Sequence, residues 1–285
     1  MSRQSLLSPS SPGTEYYEDL SGDLILWQAL VRGGRLQRDA GHDAPHLREI
    51  MLTLYAMNHK TCTIDGRECF ITDSVQPQYI LIQTLGDHER GIFDRTAELI
   101  AGASGVPFVL VAFQVFDWDL DLTPWHDDAI SRKPEVGTQT GETLRYVKES
   151  LLPELENKYG KLPVILGGYS LGGLFALWSS MQTDRFAAIA AASPSLWIKD
   201  WLDYAYAHPV KVGKVYLSLG DQEEHVKNRA IARVGDSVRG EYELLQAQLG
   251  RENCTLVWNP GNHFQDGDKR LAAAFSWCIK ELEIQ

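Results

Sequence analysis

A serine framed by glycines is the stretch of this chain best suited to covalent chemistry. Ser170 lies in Gly167-Gly168-Tyr169-Ser170-Leu171-Gly172-Gly173. Apolar Leu162-Pro163-Val164-Ile165-Leu166 enters this stretch and Leu174-Phe175-Ala176-Leu177-Trp178 leaves it. An apolar run, then glycines, then a second apolar run reads as strand, sharp turn, helix. Gly168-x-Ser170-x-Gly172 matches the nucleophile-elbow pattern, in which a tight turn projects the serine hydroxyl from the strand end. Glycines two before and two after remove the Cβ atoms that would hold strand and helix apart. The start of the following helix offers free N–H groups and a positive dipole end to a developing anion.

A serine hydroxyl is a weak nucleophile at neutral pH; it needs a base, and the base needs an orienting group. Both belong in loops at the carboxyl ends of the strands, in the chain order serine, acid, histidine. Three of the eight histidines follow Ser170. His208 sits before a strand and His225 beside an acidic cluster, whereas His263 lies in Asn259-Pro260-Gly261-Asn262-His263-Phe264, directly after the last apolar strand. His263 is the expected base. The acid is expected in Gly220-Asp221-Gln222-Glu223-Glu224, after the strand before it. Asp221, Glu223 and Glu224 all compete for that place, and the same charges suit a helix start. A Ser-His dyad stays open, because the acid only holds the imidazole tautomer and stabilises imidazolium. For the oxyanion, the backbone N–H of Leu171 is one expected donor. The second is sought in Leu85-Gly86-Asp87-His88, with Asp87 the candidate. Trp118, Trp125 and Trp197 are candidates to line a substrate pocket, with core packing the alternative for each. Asp117, Asp119, Asp121, Asp127 and Asp128 lack the Gly and Glu spacing of a calcium loop and read as a solvated acidic stretch. No metal and no cofactor is called for.

The elements that must hold these residues alternate between strand and helix. Thr61–Ile64, Asp65-Gly66 and Arg67–Ile71 form a β-hairpin with a favoured Asp-Gly turn. Buried strands are expected at 79–83, 108–113, 162–166, 186–192, 214–220 and 254–258. Helices are expected near 94–101, 143–159, 226–249 and 269–282, with another carrying the apolar run 174–178 that leaves the elbow. The long polar and aromatic run 114–140 is read as a functional cover or a disordered stretch. Continuous apolar strands separated by helices imply a mostly parallel sheet covered on both faces. Residues 1–58 read as an N-terminal extension. Its first thirteen residues, rich in Ser and Pro, are expected to be disordered. One or two short helices follow, the second with an apolar stripe of Leu47, Ile50, Met51 and Leu54, available to a homo-oligomer interface. Residues 59–285 read as one catalytic domain.

Composition narrows the partners. The chain has 285 residues, 44% of them apolar, enough for a sizeable core. A net charge of −11 without a Lys/Arg cluster argues against nucleic acid. No run of about eighteen apolar residues suggests a membrane span, and the first residues lack the apolar core of a secretory signal. Cys62, Cys69, Cys254 and Cys278 show no CxxC spacing; free thiols in a cytoplasmic protein are the expectation.

Four pieces carry a resemblance. They are 167–173, Ala192-Ser193-Pro194-Ser195-Leu196-Trp197, Tyr216-Leu217-Ser218-Leu219-Gly220-Asp221-Gln222-Glu223-Glu224, and Gly261-Asn262-His263-Phe264. Together they resemble the esterase branch of the α/β-hydrolases that includes esterase D-like carboxylesterases, feruloyl esterases and siderophore trilactone esterases. The resemblance covers roughly residues 60–285. It implies the α/β-hydrolase fold, with an antiparallel hairpin at its start. In that family the acid stands three residues after the glycine closing the strand, a place that falls on Glu223, where relatives usually carry Asp. The loop after 79–83 lacks the His-Gly or Asp-Gly signature of the family. The expected function is cleavage of a small-molecule carboxylic ester through an acyl-enzyme. An acyltransferase or thioesterase on the same residues, or a siderophore-ester esterase using the dyad, are the alternatives.

Overall fold

The computed structural model describes residues 57–86 and 90–283. Eight strands form a single sheet in the order β1-β2-β4-β3-β5-β6-β7-β8. β1 (Asn58–Ile64) and β2 (Arg67–Asp73) are the expected hairpin, turning at Asp65-Gly66, and β2 pairs antiparallel with β4 (Phe108–Gln114). From β4 onward every pairing is parallel: β3 (Tyr79–Leu85), β5 (Val164–Tyr169), β6 (Ala188–Ala192), β7 (Lys214–Gly220) and β8 (Cys254–Asn259). Their carboxyl ends share one edge, so the loops after β5, β7 and β8 meet there.

Helices cover both faces because the strands alternate two apolar sets. One face carries Leu81, Leu110, Ile165 and Ala190 against α1 (Arg90–Ser104) and Phe275 and Ile279 of the last helix, α8 (Gly267–Glu283). The other carries Ile80, Val111, Leu166 and Ile189 under α3 (Thr140–Tyr146), α4 (Leu152–Tyr159), α5 (Leu171–Gln182), α6 (Trp201–Ala207) and α7 (Val234–Leu249). α5 is apolar nearly all round, and Leu174, Phe175, Ala176 and Leu177 are fully buried. Such a helix belongs at the centre of a fold, where each large apolar side chain contributes about 1.5–3 kcal/mol.

Three local expectations change. The helix expected over 143–159 is interrupted by a π-turn at Val147–Leu151. Pro153 follows, and its ring would clash with the Glu149 carbonyl in a regular α-helix, so the chain takes up an extra residue. The helix expected from Val226 instead starts at Val234, after a 3₁₀ turn at Ile231–Arg233. Asn228 holds the preceding turn, accepting from Ala230 N–H through its side chain and from Ala232 N–H through its carbonyl. The run 114–140 contains a short helix, α2 (Trp118–Leu122), capped by Asp117. Two of its aspartates are buried acceptors: Asp121 for Phe116 N–H and Arg67, Asp127 for Ala129 and Lys199 N–H. That corrects the expectation of a solvated acidic stretch.

The four cysteines are free thiols, with Cys62 directly opposite Cys69 across the hairpin. No helix among the described residues is long and apolar enough to cross a membrane. The extension read over 1–58 lies, up to residue 56, outside the described residues; β1 begins at Asn58.

Candidate active site

Ser170 occupies the turn between β5 and α5 with φ 57° and ψ −121°. A non-glycine residue there is strained, and such strain persists only where the surroundings enforce it. The enforcement is visible: a Cβ on Gly168 would overlap the backbone of Gly172, so the strand and helix flanking Ser170 touch directly. A Cβ on Gly172 would overlap Thr84 Oγ1, which brings the end of β3 against the first turn of α5. Leu171 opens α5, where the first N–H groups have no acceptor within the helix.

His263, in the loop after β8, reaches back to this turn. Its Nε2 lies 3.0 Å from Ser170 Oγ, and its Nδ1 lies 2.7 Å from Glu223 Oε2. Glu223 is buried at the end of β7. Burial opposes its charge, but hydrogen bonds from His263, Gly220 N–H and Ser193 O–H prevail and hold the carboxyl below its ordinary range. An ionised Glu223 only accepts, so Nδ1 carries the ring proton and Nε2 is left to accept from Ser170. Ser195 Oγ lies 3.2 Å from Ser170 Oγ. With the single proton of Ser170 directed to His263, the Ser195 hydroxyl is the donor in that pair.

One buried arginine ties these loops together. Arg270 Nη1 donates to Glu223 Oε1 (2.8 Å), Ser193 Oγ (3.1 Å) and Tyr169 Oη (3.2 Å). Its Nη2 donates to the carbonyls of Pro260 (3.1 Å) and Asn262 (3.0 Å). Tyr169 in turn donates to the His263 carbonyl at 2.7 Å and lies beside the imidazole, ring centroids 5.2 Å apart. A Cβ on Gly220 would meet the Gly261 carbonyl, Arg270 and Glu223, so only glycine closes β7 here. Beside Ser170 opens a cavity of about 390 Å³, lined by Pro194, Trp197, Val226, Ile231, Val234 and Phe264 together with the polar residues of the site.

The family model described as "Putative esterase" matches residues 88–263. The chain belongs to this esterase family. It has the α/β-hydrolase fold, which solved structures share. The siderophore hydrolase EstA from Aspergillus nidulans superposes with a TM-score of 0.61 at 19% identity, covering 79% of this chain and 94% of that one. An IroE-like serine hydrolase from Shewanella oneidensis gives 0.64 at 17% identity, over 78% of this chain and 80% of that one. A cold-adapted esterase from an Arctic intertidal metagenomic library gives 0.56 at 17%, over 80% and 95%. No curated protein sequence matches the chain.

Within this esterase, Ser170, His263 and Glu223 come together, and the two competing carboxylates do not. Glu224 turns away into a two-pronged ion pair with Arg239, at 2.9 and 2.7 Å. Asp221 accepts from Gly261 N–H at 2.9 Å, shaping the histidine loop without touching the ring. Of the three tryptophans, Trp197 lines the cavity. Trp118 approaches the first turn of α5 and is not part of the cavity wall. Trp125 packs on Trp201 and Tyr204 and donates to the Lys199 carbonyl, a core role that replaces the pocket role expected for it. Asp87 lies outside the described residues. The residues missed by sequence reasoning are Arg270, Tyr169, Ser193 and Ser195. One signal for Arg270 was available: a cation in the first turn of a helix opposes the helix dipole and needs a local reason.

Proposed function

We propose that this esterase is a serine hydrolase that opens a carboxylic ester through an acyl-enzyme on Ser170. His263 takes the serine proton as Oγ attacks the carbonyl carbon and returns it to the departing alcohol. Glu223 holds the Nδ1–H tautomer and balances the imidazolium. The Leu171 N–H stabilises the oxyanion, together with a second donor from the loop after β3. Water, activated by the same imidazole, then releases the acid. The observation that carries this reading is the unbroken line of hydrogen-bonding atoms from Glu223 Oε2 through His263 to Ser170 Oγ, at 2.7 and 3.0 Å. The presence of a buried, ionised acid at the imidazole favours a triad over the dyad. The test is covalent labelling: a fluorophosphonate should label the protein and Ser170→Ala should abolish both labelling and hydrolysis of p-nitrophenyl acetate. Labelling that survives in the folded variant would sink the assignment.

A further inference from the structure

The cavity beside Ser170 has a side, and the sheet order fixes it. Its walls come from the loops after β6 (Pro194, Trp197), after β7 (Val226, Ile231, Val234) and after β8 (Phe264). These strands lie on one flank of β5, and β3 lies on the other. Among the described residues, neither Leu171 nor the end of β3 contributes to the wall. His263 stands in the cavity wall beside Ser170.

In the tetrahedral intermediate the carbonyl carbon holds four substituents: Ser170 Oγ, the oxyanion, the acyl carbon and the ester oxygen. The proton taken from Ser170 Oγ by His263 Nε2 must reach the ester oxygen as its bond to carbon breaks, so that oxygen lies on the imidazole side. Resting on the ester-hydrolase reading above, we propose that the cavity binds the alcohol portion of the substrate, and that this alcohol is uncharged and apolar. The wall chemistry sets the class. Six apolar side chains line it, and no Lys or Arg does so among the described residues. The negative charge of Glu223 is already met by Arg270 and His263. Phe264 stands at the mouth, 93% exposed, its ring edge-on to the imidazole at 5.4 Å. Val226, 40% exposed, continues the same apolar rim. A large aromatic ring left in water beside a reacting centre gains burial when an apolar group settles beneath it. Phe264 is accordingly a specificity-determining residue for the alcohol.

Two ester series test the assignment. Acetates of methanol, butanol, hexanol and benzyl alcohol vary the alcohol, and ethyl esters from acetate to hexanoate vary the acyl group. All acetates pass through one acetyl-enzyme, so the alcohol preference should appear in kcat/KM and leave the deacylation rate common to the series. Each methylene of the alcohol that enters the cavity should raise kcat/KM roughly fourfold until the cavity fills. Phe264→Ala should lower kcat/KM for hexyl acetate more than for methyl acetate, and its exposed position makes misfolding a minor concern. Ile231→Trp, at a partly exposed position of the wall, should flatten the alcohol series. A steep response to acyl length with a flat response to alcohol length would overturn the proposal while leaving the hydrolase reading intact. No turnover of any ester, with no fluorophosphonate label on Ser170, would instead remove the hydrolase reading beneath it.

Discussion

Glu223 and Glu241 are both buried carboxylates, 3% and 1% exposed, and their pKa values move in opposite directions. Glu223, at the end of β7, receives donors from His263, Gly220, Ser193 and Arg270, and its carboxyl lies below the ordinary range. Glu241, on α7, faces the Trp201 Nε1–H at 2.9 Å, and burial pushes its pKa up to about 7 against that single bond. Removal from water costs both groups the same kind of solvation. What differs is the number and charge of donors supplied in exchange. Burial by itself makes a carboxylate neutral; a convergent set of donors makes it an anion that can orient an imidazole. The site is therefore defined less by Ser170, His263 and Glu223 themselves than by the cation and loops gathered around one acid.

Removing the charge of Glu223 breaks the comparison most severely. Glu223→Gln keeps the shape but can present its amide donor to Nδ1, which favours the wrong imidazole tautomer. The expected loss is roughly 10⁴-fold in kcat, measured on a p-nitrophenyl ester with fold checked by circular dichroism. A loss under about tenfold would leave Ser170 and His263 working as a dyad.

Arg270→Met comes next. It strips Glu223 of its buried cation and frees the carbonyls of Pro260 and Asn262, so denaturant unfolding should show roughly 3–5 kcal/mol of lost stability. Arg270→Lys should recover only part, because three ammonium protons cannot serve the five acceptors now held by a planar fork. Full recovery with Lys would mean that charge alone matters there. A positioning role also predicts that in both variants kcat falls more than KM rises.

The contrast explains what was readable in the sequence. The hairpin, the parallel strands and the elbow were legible because each is local: Asp65-Gly66, the apolar runs and Gly168-x-Ser170-x-Gly172 state their own geometry. The meeting of His263 with Ser170 was legible from the place of His263 after the last strand. Among Asp221, Glu223 and Glu224 the spacing alone did not choose. Their separation depends on Arg239 drawing off Glu224 and on the Gly261 N–H engaging Asp221, contacts 15 and 40 residues away. The partners of Arg270 were hidden for the same reason. Read alone, Asp268-Lys269-Arg270 is a solvated helix start; only the packing of α8 beneath the β7 and β8 loops turns Arg270 inward. Trp125 shows the converse: its composition suits a pocket, yet Trp201 and Tyr204 claim it for the core.

The smallest effect sharpens the comparison from the side of Glu241. An unfolded glutamate titrates near its ordinary value of 4.5, whereas the folded one titrates near 7. Between these values the folded protein binds more protons than the unfolded chain, so stability falls as pH rises through the window and stays lower above it. Glu241→Gln keeps an oxygen to accept from Trp201 and cannot ionise. At pH 5 the variant and the parent should melt close together. At pH 8 the variant should be more stable, by roughly 3 kcal/mol when the window is taken at about 1.4 kcal/mol per pH unit. Hydrolysis should be unchanged, since Glu241 touches neither the cavity nor the imidazole. Thermal melts at the two pH values decide it. An advantage of equal size at pH 5 and pH 8 would trace to packing and would leave Glu241 without a part in the pH dependence of stability.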